Sequence, residues 1–198
     1  MRIEDRDSID GLTQSLLWPL NLFCAHYERD VPEITALFKQ HMPQPYRELL
    51  VHERNMTPTL ESYHGGTIYI EPINVLTDDE ETTREVILRR DTDGKPLEYG
   101  ASRMFRHRLS PEALFLIDDG RLPLGTILRV CDCEHTVRPA GFFKIRSTPF
   151  FAEAFGASDA PYFYGRRTAL VALDGHSIAE VCEILPPGKV RVTKRSKQ

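Results

Sequence analysis

The chain has 198 residues, a formal net charge of −4, a hydrophobic fraction of 41% and a charged fraction of 27%. This length and composition are typical of one globular domain and exclude wholesale disorder. The acidic balance disfavours nucleic acid as a partner, since nucleic-acid binders usually carry a basic surplus. A charged N-terminus and the lack of an apolar run of about 18 residues disfavour a signal peptide or a membrane span, so we expect a cytoplasmic protein without membrane contact.

Cysteines and glycine motifs give no sign of a cofactor. The four cysteines do not form the pattern of a secreted disulfide framework, so we expect free thiols. Cys131, Cys133 and His135 would lie on one face of a strand, but their spacing differs from that of most structural zinc sites. The sequence contains neither a Gly-x-x-x-x-Gly-Lys loop nor a Gly-x-Gly-x-x-Gly turn. We therefore expect neither a metal nor a cofactor.

Short helices are predicted in the first third of the chain. They span residues 8–17, 32–41, 45–53 and 57–63. Proline is favoured in the first turn of a helix, and Pro32, Pro45 and Pro58 each hold such a position. Gly65 and Gly66 end the last of these helices.

From Thr67 onward the hydrophobic period changes to two, which predicts strands. These cover residues 67–76, 83–90, 97–107, 135–145, 162–173 and 177–185, with helical segments at 111–119 and 124–130. Asp93-Gly94 and Asp174-Gly175 are typical of hairpin turns. Consecutive strands with short turns form antiparallel sheets. We therefore predict an α+β fold, with helices packed on one face of an antiparallel sheet whose inner face can hold a small pocket.

One arginine lies on an apolar strand face. Within residues 82–89, alternation places Arg84 beside Val86 and Leu88, while Glu85 and Arg89 are expected to meet water. An unpaired buried guanidinium costs several kcal/mol, so either the protein or a ligand must supply an anion. An internal ion pair and an edge arginine that reaches solvent are the structural alternatives.

Four stretches, taken in order, carry a resemblance to a known family. They are Leu50-Val-His-Glu-Arg-Asn-Met-Thr57 with Leu60-Glu61, Arg84-Glu-Val-Ile-Leu88, Gly120-Arg-Leu-Pro-Leu-Gly125 with Ile127-Leu128, and Tyr164-Gly-Arg-Arg167 leading to Glu183-Ile-Leu-Pro-Pro187. Together they resemble the chorismate lyases, which convert chorismate to 4-hydroxybenzoate and pyruvate. The resemblance implies a single domain over residues 1–198, with a helical N-terminal part at 1–48, a chorismate lyase-like core at 49–187 and a basic tail at 188–198.

The resemblance also implies a substrate site. Arg84 would pair with the ring carboxylate, and the main-chain amides of Met56 and Leu124 would bind the same group. Glu183 would contact the ring hydroxyl, either as a base or only as an acceptor, so that Arg84 and Glu183 are the predicted catalytic residues. The family encloses its ligand beneath helical flaps over an antiparallel sheet. Judged from the residues alone, Glu183 has a second interpretation, as the structural partner of Arg166 or Arg167.

Two functions are therefore predicted from the sequence. The first is a carbon-oxygen lyase that eliminates pyruvate from chorismate by positioning and charge, without a metal or a covalent nucleophile. The alternative is a non-catalytic module that senses a small hydroxybenzoate-like molecule on the same fold, because residues 131–159 do not match the family. The acidic N-terminal helices show no basic helix-turn-helix, which favours the enzyme. The sequence leaves the oligomeric state and the pathway open.

Overall fold

Seven strands of the chain form one antiparallel sheet in the computed structural model, which describes residues 11 and 13–188. The strands are β1 (Ile34–Leu37), β2 (Ile68–Thr77), β3 (Glu81–Arg90), β4 (Pro96–Phe105), β5 (His135–Arg146), β6 (Tyr162–Ala172) and β7 (Ser177–Leu185). Their order across the sheet is β1-β5-β6-β7-β4-β3-β2. Strand β7 therefore lies at the centre of the sheet and pairs with β6 on one side and β4 on the other.

Short helices lie before and between the strands in the described part of the chain. They are α1 (Leu20–His26), α2 (Tyr46–Leu50), α3 (Met56–His64), α4 (Pro111–Asp119), α5 (Leu124–Val130) and α6 (Pro149–Phe155), with 3-10 turns at Lys39–His41 and Arg106–Arg108. Ser110 caps α4 and Thr148 caps α6, each with its hydroxyl, and each cap is followed by a proline. Within residues 11 and 13–188, none of the helices has the length and apolar character needed to cross a membrane.

Both faces of the sheet are covered. On one face, Tyr99 and neighbouring strand residues pack against α1 and α6. On the other, Val86 and Leu88 pack against α2 and α3, and Leu170 packs against α4 and α5. Successive strand residues point to opposite faces of the sheet. Ile87 and Tyr99 are apolar and point away from Val86 and Leu88, so the sheet has a hydrophobic surface on each face.

The predicted fold class is confirmed. The chain forms an α+β fold with an antiparallel sheet, helices, and segments that cover an internal pocket. The predicted strands, and the helices at 111–119 and 124–130, lie within about two residues of their observed bounds. The observed arrangement differs in one respect, since α1 and α6 cover the face for which no helices were predicted.

The N-terminal part differs more from the prediction. Residues 32–41 were predicted to be a helix but form β1 and a 3-10 turn, because Ile34 to Leu37 pair with Ile145 to Phe142 at the sheet edge. Helix α1 was not predicted, and neither was α6. The predicted helix at 8–17 lies partly outside the described residues, and so does the basic tail beyond residue 188.

Glu85 does not meet water as predicted; it is fully buried. Its carboxylate accepts hydrogen bonds from Arg29 Nη2 at 2.8 and 2.9 Å, from the Tyr99 hydroxyl at 2.6 Å and from Asn74 Nδ2 at 2.8 Å. The chain between α1 and β1 supplies Arg29 and covers this face. Glu85 points to the sheet face opposite to that of Arg84, and its charge is paired with that of Arg29.

Candidate functional site

A cavity of about 60 Å³ lies between the sheet and the first turns of α3 and α5. A space of this size holds about four to six water molecules, or a small organic acid of similar bulk. Most of its wall is apolar, with Val86, Leu88 and Val181 contributed by the sheet. Four ionisable side chains interrupt that wall, namely Arg84, Glu98, Arg166 and Glu183.

The structure brings all four residues of the predicted site together. Met56, Arg84, Leu124 and Glu183 line this one cavity, although they come from two helices and two strands. Their placement is observed, whereas their roles in binding a ligand stay predictions.

Strand register explains why Arg84 and Glu183 share the cavity. Arg84 on β3 pairs with Ser102 on β4, and Glu183 on β7 pairs with Gly100 on the same strand β4. Ser102 and Gly100 are two residues apart, so their side-chain positions point to the same face. Arg84 and Glu183 therefore lie in neighbouring cross-strand rows on the face that α3 and α5 cover.

Arg84 is a buried cation without a carboxylate. Its relative exposure is 2%, its Nη1 donates to the Leu122 carbonyl oxygen at 3.3 Å, and its buried Nε has no hydrogen-bond partner among the described residues. Burial lowers the pKa of Arg84 from 12.5 to about 10, so the guanidinium remains protonated at neutral pH. The internal ion pair that the sequence also allowed is not formed with any described residue. An anion is the group that this side chain lacks.

Glu183, by contrast, has a partner inside the protein. Arg166 Nε donates to its Oε2 in a buried ion pair, and the Thr168 hydroxyl donates to the same oxygen at 3.2 Å. The structural interpretation of Glu183 is thus observed, with Arg166 as the partner. Arg167, the other partner that the sequence allowed for Glu183, instead pairs with Glu180 at 2.8 Å and is partly exposed.

Arg166 also fixes the segment that leads into α3. Its Nη1 donates to the carbonyl oxygens of Leu50 at 3.2 Å and His52 at 2.9 Å, and its Nη2 donates to that of Arg54 at 3.2 Å. These bonds to three carbonyl oxygens between residues 50 and 54 hold the chain just before Met56. Arg166 therefore positions the first turn of α3 over the cavity.

His52 completes this arrangement in a neutral state. Burial, and next the positive charge of Arg166, lower the pKa of His52 below 6.5. Its Nε2 lies 2.8 Å from the Leu49 carbonyl oxygen, and its Nδ1 lies 3.2 Å from both Arg166 Nη1 and the Arg54 amide nitrogen. A neutral ring that donates from Nε2 and accepts at Nδ1 satisfies all of these contacts.

Glu98 is the residue of the site that sequence reasoning missed. It lies on β4 opposite Leu88, is 3% exposed, and has a buried Oε2 without a hydrogen-bond partner. Burial, and next the neighbouring Glu183, raise the pKa of Glu98 well above its usual value of 4.5, although Arg166 acts in the opposite direction. The signal was present in the sequence, since alternation along β4 puts Glu98 on the same face as Gly100 and Ser102.

Helices α3 and α5 both present their first turns to the cavity. Met56 begins α3 and Leu124 begins α5, and neither start has a hydrogen bond from a capping side chain. The first amides of a helix have no partner within the helix and carry a partial positive charge. Both predicted main-chain donors therefore lie at helix starts, where an anion is favoured.

The segment around Cys133 does not form a metal cluster in the described part of the chain. There, no group of three or more histidine, cysteine, aspartate or glutamate side chains is placed to hold an ion. The His135 ring instead lies 2.7 Å from the Cys133 carbonyl oxygen through Nδ1 and 3.1 Å from Asn55 Oδ1 through Nε2. His135 thereby links β5 to the residue before α3.

Comparison with known proteins identifies the fold. No family model matches the chain, and no curated protein is significantly similar to it in sequence. The crystal structure of PhnF from Mycobacterium smegmatis is similar at a TM-score of 0.54, with 14% identity over 74% of this chain and 71% of that one. The effector domain of PhnF gives a TM-score of 0.52, with 14% identity over 69% and 91%. The gene product SA0254 from Staphylococcus aureus gives 0.51, with 9% identity over 71% and 98%.

The chain has a chorismate lyase-like fold, which it shares with the effector domain of PhnF. At such identities the likeness concerns the fold. The predicted enzyme, a carbon-oxygen lyase acting on chorismate, is nevertheless wrong, because the fold matches an effector domain and no lyase is among these similar structures. The roles predicted for Arg84 and Glu183 in the site are not tested by these comparisons and stay predictions. Glu183 is already bonded to Arg166, so it is not a free base.

Proposed function

We propose that this chain is a non-catalytic module that senses a small organic acid, whose carboxylate is held by Arg84. One observation carries the proposal: Arg84 is buried on the cavity wall and has no carboxylate partner among the described residues. A buried cation in that state destabilises the protein unless an anion arrives. Retaining such a cation is reasonable where binding a ligand is the function.

The carboxylate end of the ligand has several donors. Arg84 Nε has no partner in the described part of the chain, and a guanidinium can bind a carboxylate through two parallel hydrogen bonds. The amides at Met56 and Leu124 supply uncharged donors from the helix starts. The sequence-based roles of these three residues become, in this proposal, contacts to one carboxylate.

The remainder of the ligand meets an apolar wall. Val86, Leu88, Val137, Leu170 and Val181 surround the space between the two charged ends. Burying a hydrocarbon body against such side chains contributes about 25 cal/mol for each Å² removed from water. A ring or a short branched chain with one carboxylate suits the cavity, whereas no feature of the wall selects chorismate.

The likeness to the PhnF effector domain supports a sensing role. Ligand binding can affect the helices that cover the cavity. A ligand that bonds both Arg84 and the first-turn amides joins the sheet to α3 and α5. These helices also contact each other. The expectation that nucleic acid is not a partner stays a prediction, since a sensor can pass its state to any output.

Binding of simple acids tests the proposal. Isothermal titration calorimetry with benzoate and 4-hydroxybenzoate compares the wild type with Arg84→Met. Loss of a buried charge contact costs about 2–5 kcal/mol, so the affinity of the variant falls by at least about thirtyfold.

Arg89→Met is the matched control for this experiment. Arg89 lies on the same strand but pairs with Glu71 near the surface, so its variant binds within about twofold of the wild type. Equal affinities for the wild type and Arg84→Met, or no binding of either acid to the wild type, would contradict the proposal.

A further inference from the structure

Glu98 is a second acidic side chain in the cavity, beside a carboxylate that is already paired. Its Oε1 lies 3.5 Å from the point where a Cβ on Gly100 would be, so its carboxyl group occupies the space above that glycine. Gly100 pairs with Glu183 across β4 and β7. The Glu98 carboxyl therefore lies beside the cross-strand row that holds Glu183, and the charges of the two carboxyl groups act on each other.

The charged groups that face Glu98 leave it without a cation. Glu183 adds negative charge, and Arg166 is bonded to Glu183 and to the carbonyl oxygens before α3. Arg84 lies two cross-strand rows away, opposite Ser102, and bonds toward Leu122. Among the described residues, the buried Oε2 of Glu98 has no hydrogen-bond partner at all.

The surroundings of this carboxyl group favour its protonated form over its charged form. Burial disfavours its charged form first, and the nearby Glu183 disfavours it further, which raises its pKa well above 4.5. His52, behind Arg166, has a lowered pKa and is uncharged at neutral pH. With Glu98 neutral, Arg84 and Arg166 contribute two positive charges, and Glu183 contributes one negative charge. The cavity then has one net positive charge, which a ligand with one negative charge balances.

We propose that Glu98 is the specificity-determining residue of the cavity, donating a hydrogen bond from a protonated carboxyl group to a neutral oxygen of the ligand. This inference rests on the proposed function and deepens it. The ligand class is an acid with one carboxylate, bound at Arg84, and a hydroxyl or carbonyl oxygen at the far end. A hydroxyl suits both carboxyl groups, since it accepts from Glu98 and donates to Glu183.

The same arrangement rejects dicarboxylates. A second carboxylate at the far end would face Glu183, and like charges in a buried site repel strongly. A ligand without any polar group at that end would leave the proton of Glu98 unbonded. The site therefore discriminates by charge against diacids and by hydrogen bonding against unsubstituted acids.

Three ring acids of matched shape test this selectivity by calorimetry. 4-Hydroxybenzoate has the required neutral oxygen, terephthalate replaces it with a carboxylate, and benzoate lacks it. The wild type is expected to bind 4-hydroxybenzoate at least tenfold more tightly than either of the others. Equal affinities for 4-hydroxybenzoate and terephthalate would overturn the inference.

Two variants assign the selectivity to Glu98. Glu98→Gln keeps a donor in the same place and retains the preference for 4-hydroxybenzoate over benzoate within threefold of the wild type. Glu98→Leu has no donor and binds these two acids equally. A preference that survives in Glu98→Leu overturns the role of Glu98, even where the acids still bind through Arg84.

An infrared measurement tests the protonation state without any ligand. At neutral pH, the wild type is expected to show the carbonyl stretching band of a protonated carboxylic acid, and the band should be missing from Glu98→Gln. Spectra that are identical in this region mean that Glu98 is ionised, which overturns the inference but not the proposed function. Conversely, the band together with undiminished binding by Arg84→Met overturns the proposed function while Glu98 remains protonated.

Discussion

Arg84 and Arg166 both lie buried on the wall of one cavity, yet only Arg166 has a carboxylate partner within the described structure. Arg166 donates to Glu183 and to three backbone carbonyl oxygens, so its hydrogen-bonding groups are in use. Within residues 11 and 13–188, Arg84 has one bond to a carbonyl oxygen, and its Nε has no partner there. The first arginine stabilises the fold, and the second is free to bind an anion.

Replacement of Arg166 should destabilise the protein strongly. Arg166→Met leaves Glu183 buried without its cation and removes the bonds that hold the chain before α3, so the free energy of unfolding falls by about 3–5 kcal/mol. Arg167→Met is the control on the same strand, because its partly exposed pair with Glu180 contributes less than about 1 kcal/mol. Denaturant unfolding of both variants checks this. A similar decrease in unfolding free energy in the two variants would contradict the structural role assigned to Arg166.

The stability of the wild type should depend on pH through Glu98. The unfolded chain releases this proton near pH 4.5, whereas the folded protein keeps it to higher pH because its pKa is raised. The folded state therefore binds more protons in this window, and stability falls as pH rises through it. The stabilising contribution is complete below pH 4.5 and is lost as pH passes the folded pKa.

Glu98→Gln removes that dependence and serves as the reference. Between the two pKa values, the difference in unfolding free energy between wild type and variant should change by about 1.4 kcal/mol for each pH unit. Denaturant unfolding at a series of pH values measures it. Parallel curves for the two proteins would mean that the pKa of Glu98 is the same in both states.

Two glycines on the central strands should respond differently to alanine. A Cβ at Gly165 would lie 2.5 Å from the Glu183 carbonyl oxygen and 2.6 Å from Phe143 Cε2, so Gly165→Ala is expected to lose about 1–3 kcal/mol or more. A Cβ at Gly100 meets Glu98 Oε1 at 3.5 Å and Val86 Cγ2 at 3.6 Å, which are ordinary contacts. The melting temperature should therefore decrease strongly in Gly165→Ala and change little in Gly100→Ala. The reverse order would contradict the described packing of β6.

Chorismate should not be turned over. The fold is that of effector domains, and Glu183 is held by Arg166 rather than left free as a base. Incubation with chorismate, followed by measurement of pyruvate and 4-hydroxybenzoate, should give the uncatalysed rate. Release of the two products in equal amounts by the wild type, and its loss in Arg84→Met, would show that the protein is a chorismate lyase after all.

Much of the fold could be predicted because its signals are local. Alternation and hairpin turns fixed the strands from β2 to β4 and the last hairpin closely. Strand β1 could not be found this way, since its partner β5 lies about a hundred residues further along the chain and only that pairing makes it extended. Its apolar spacing at Ile34, Leu37 and Phe38 favoured a helix instead.

The site was predictable where strand alternation determined the direction of a side chain. Arg84 was found because it stands on an apolar strand face, and the family resemblance added Glu183 and the helix starts at Met56 and Leu124. Choosing Arg166 rather than Arg167 as the partner of Glu183 needed the register of β6 on β7. Alternation along β4 already placed Glu98 on the face of Gly100 and Ser102, but its closeness to Glu183 needed the three-dimensional structure.

The stability of Arg84→Met without ligand tests the central claim most directly. Methionine removes a buried cation that has no carboxylate partner among the described residues, so denaturant unfolding should show a free energy of unfolding about 1–4 kcal/mol higher than that of the wild type. Arg89→Met should stay within about 1 kcal/mol. A loss of about 3–5 kcal/mol in Arg84→Met would show instead that Arg84 is a structural arginine with a partner inside the protein, and the account of a ligand site would fail.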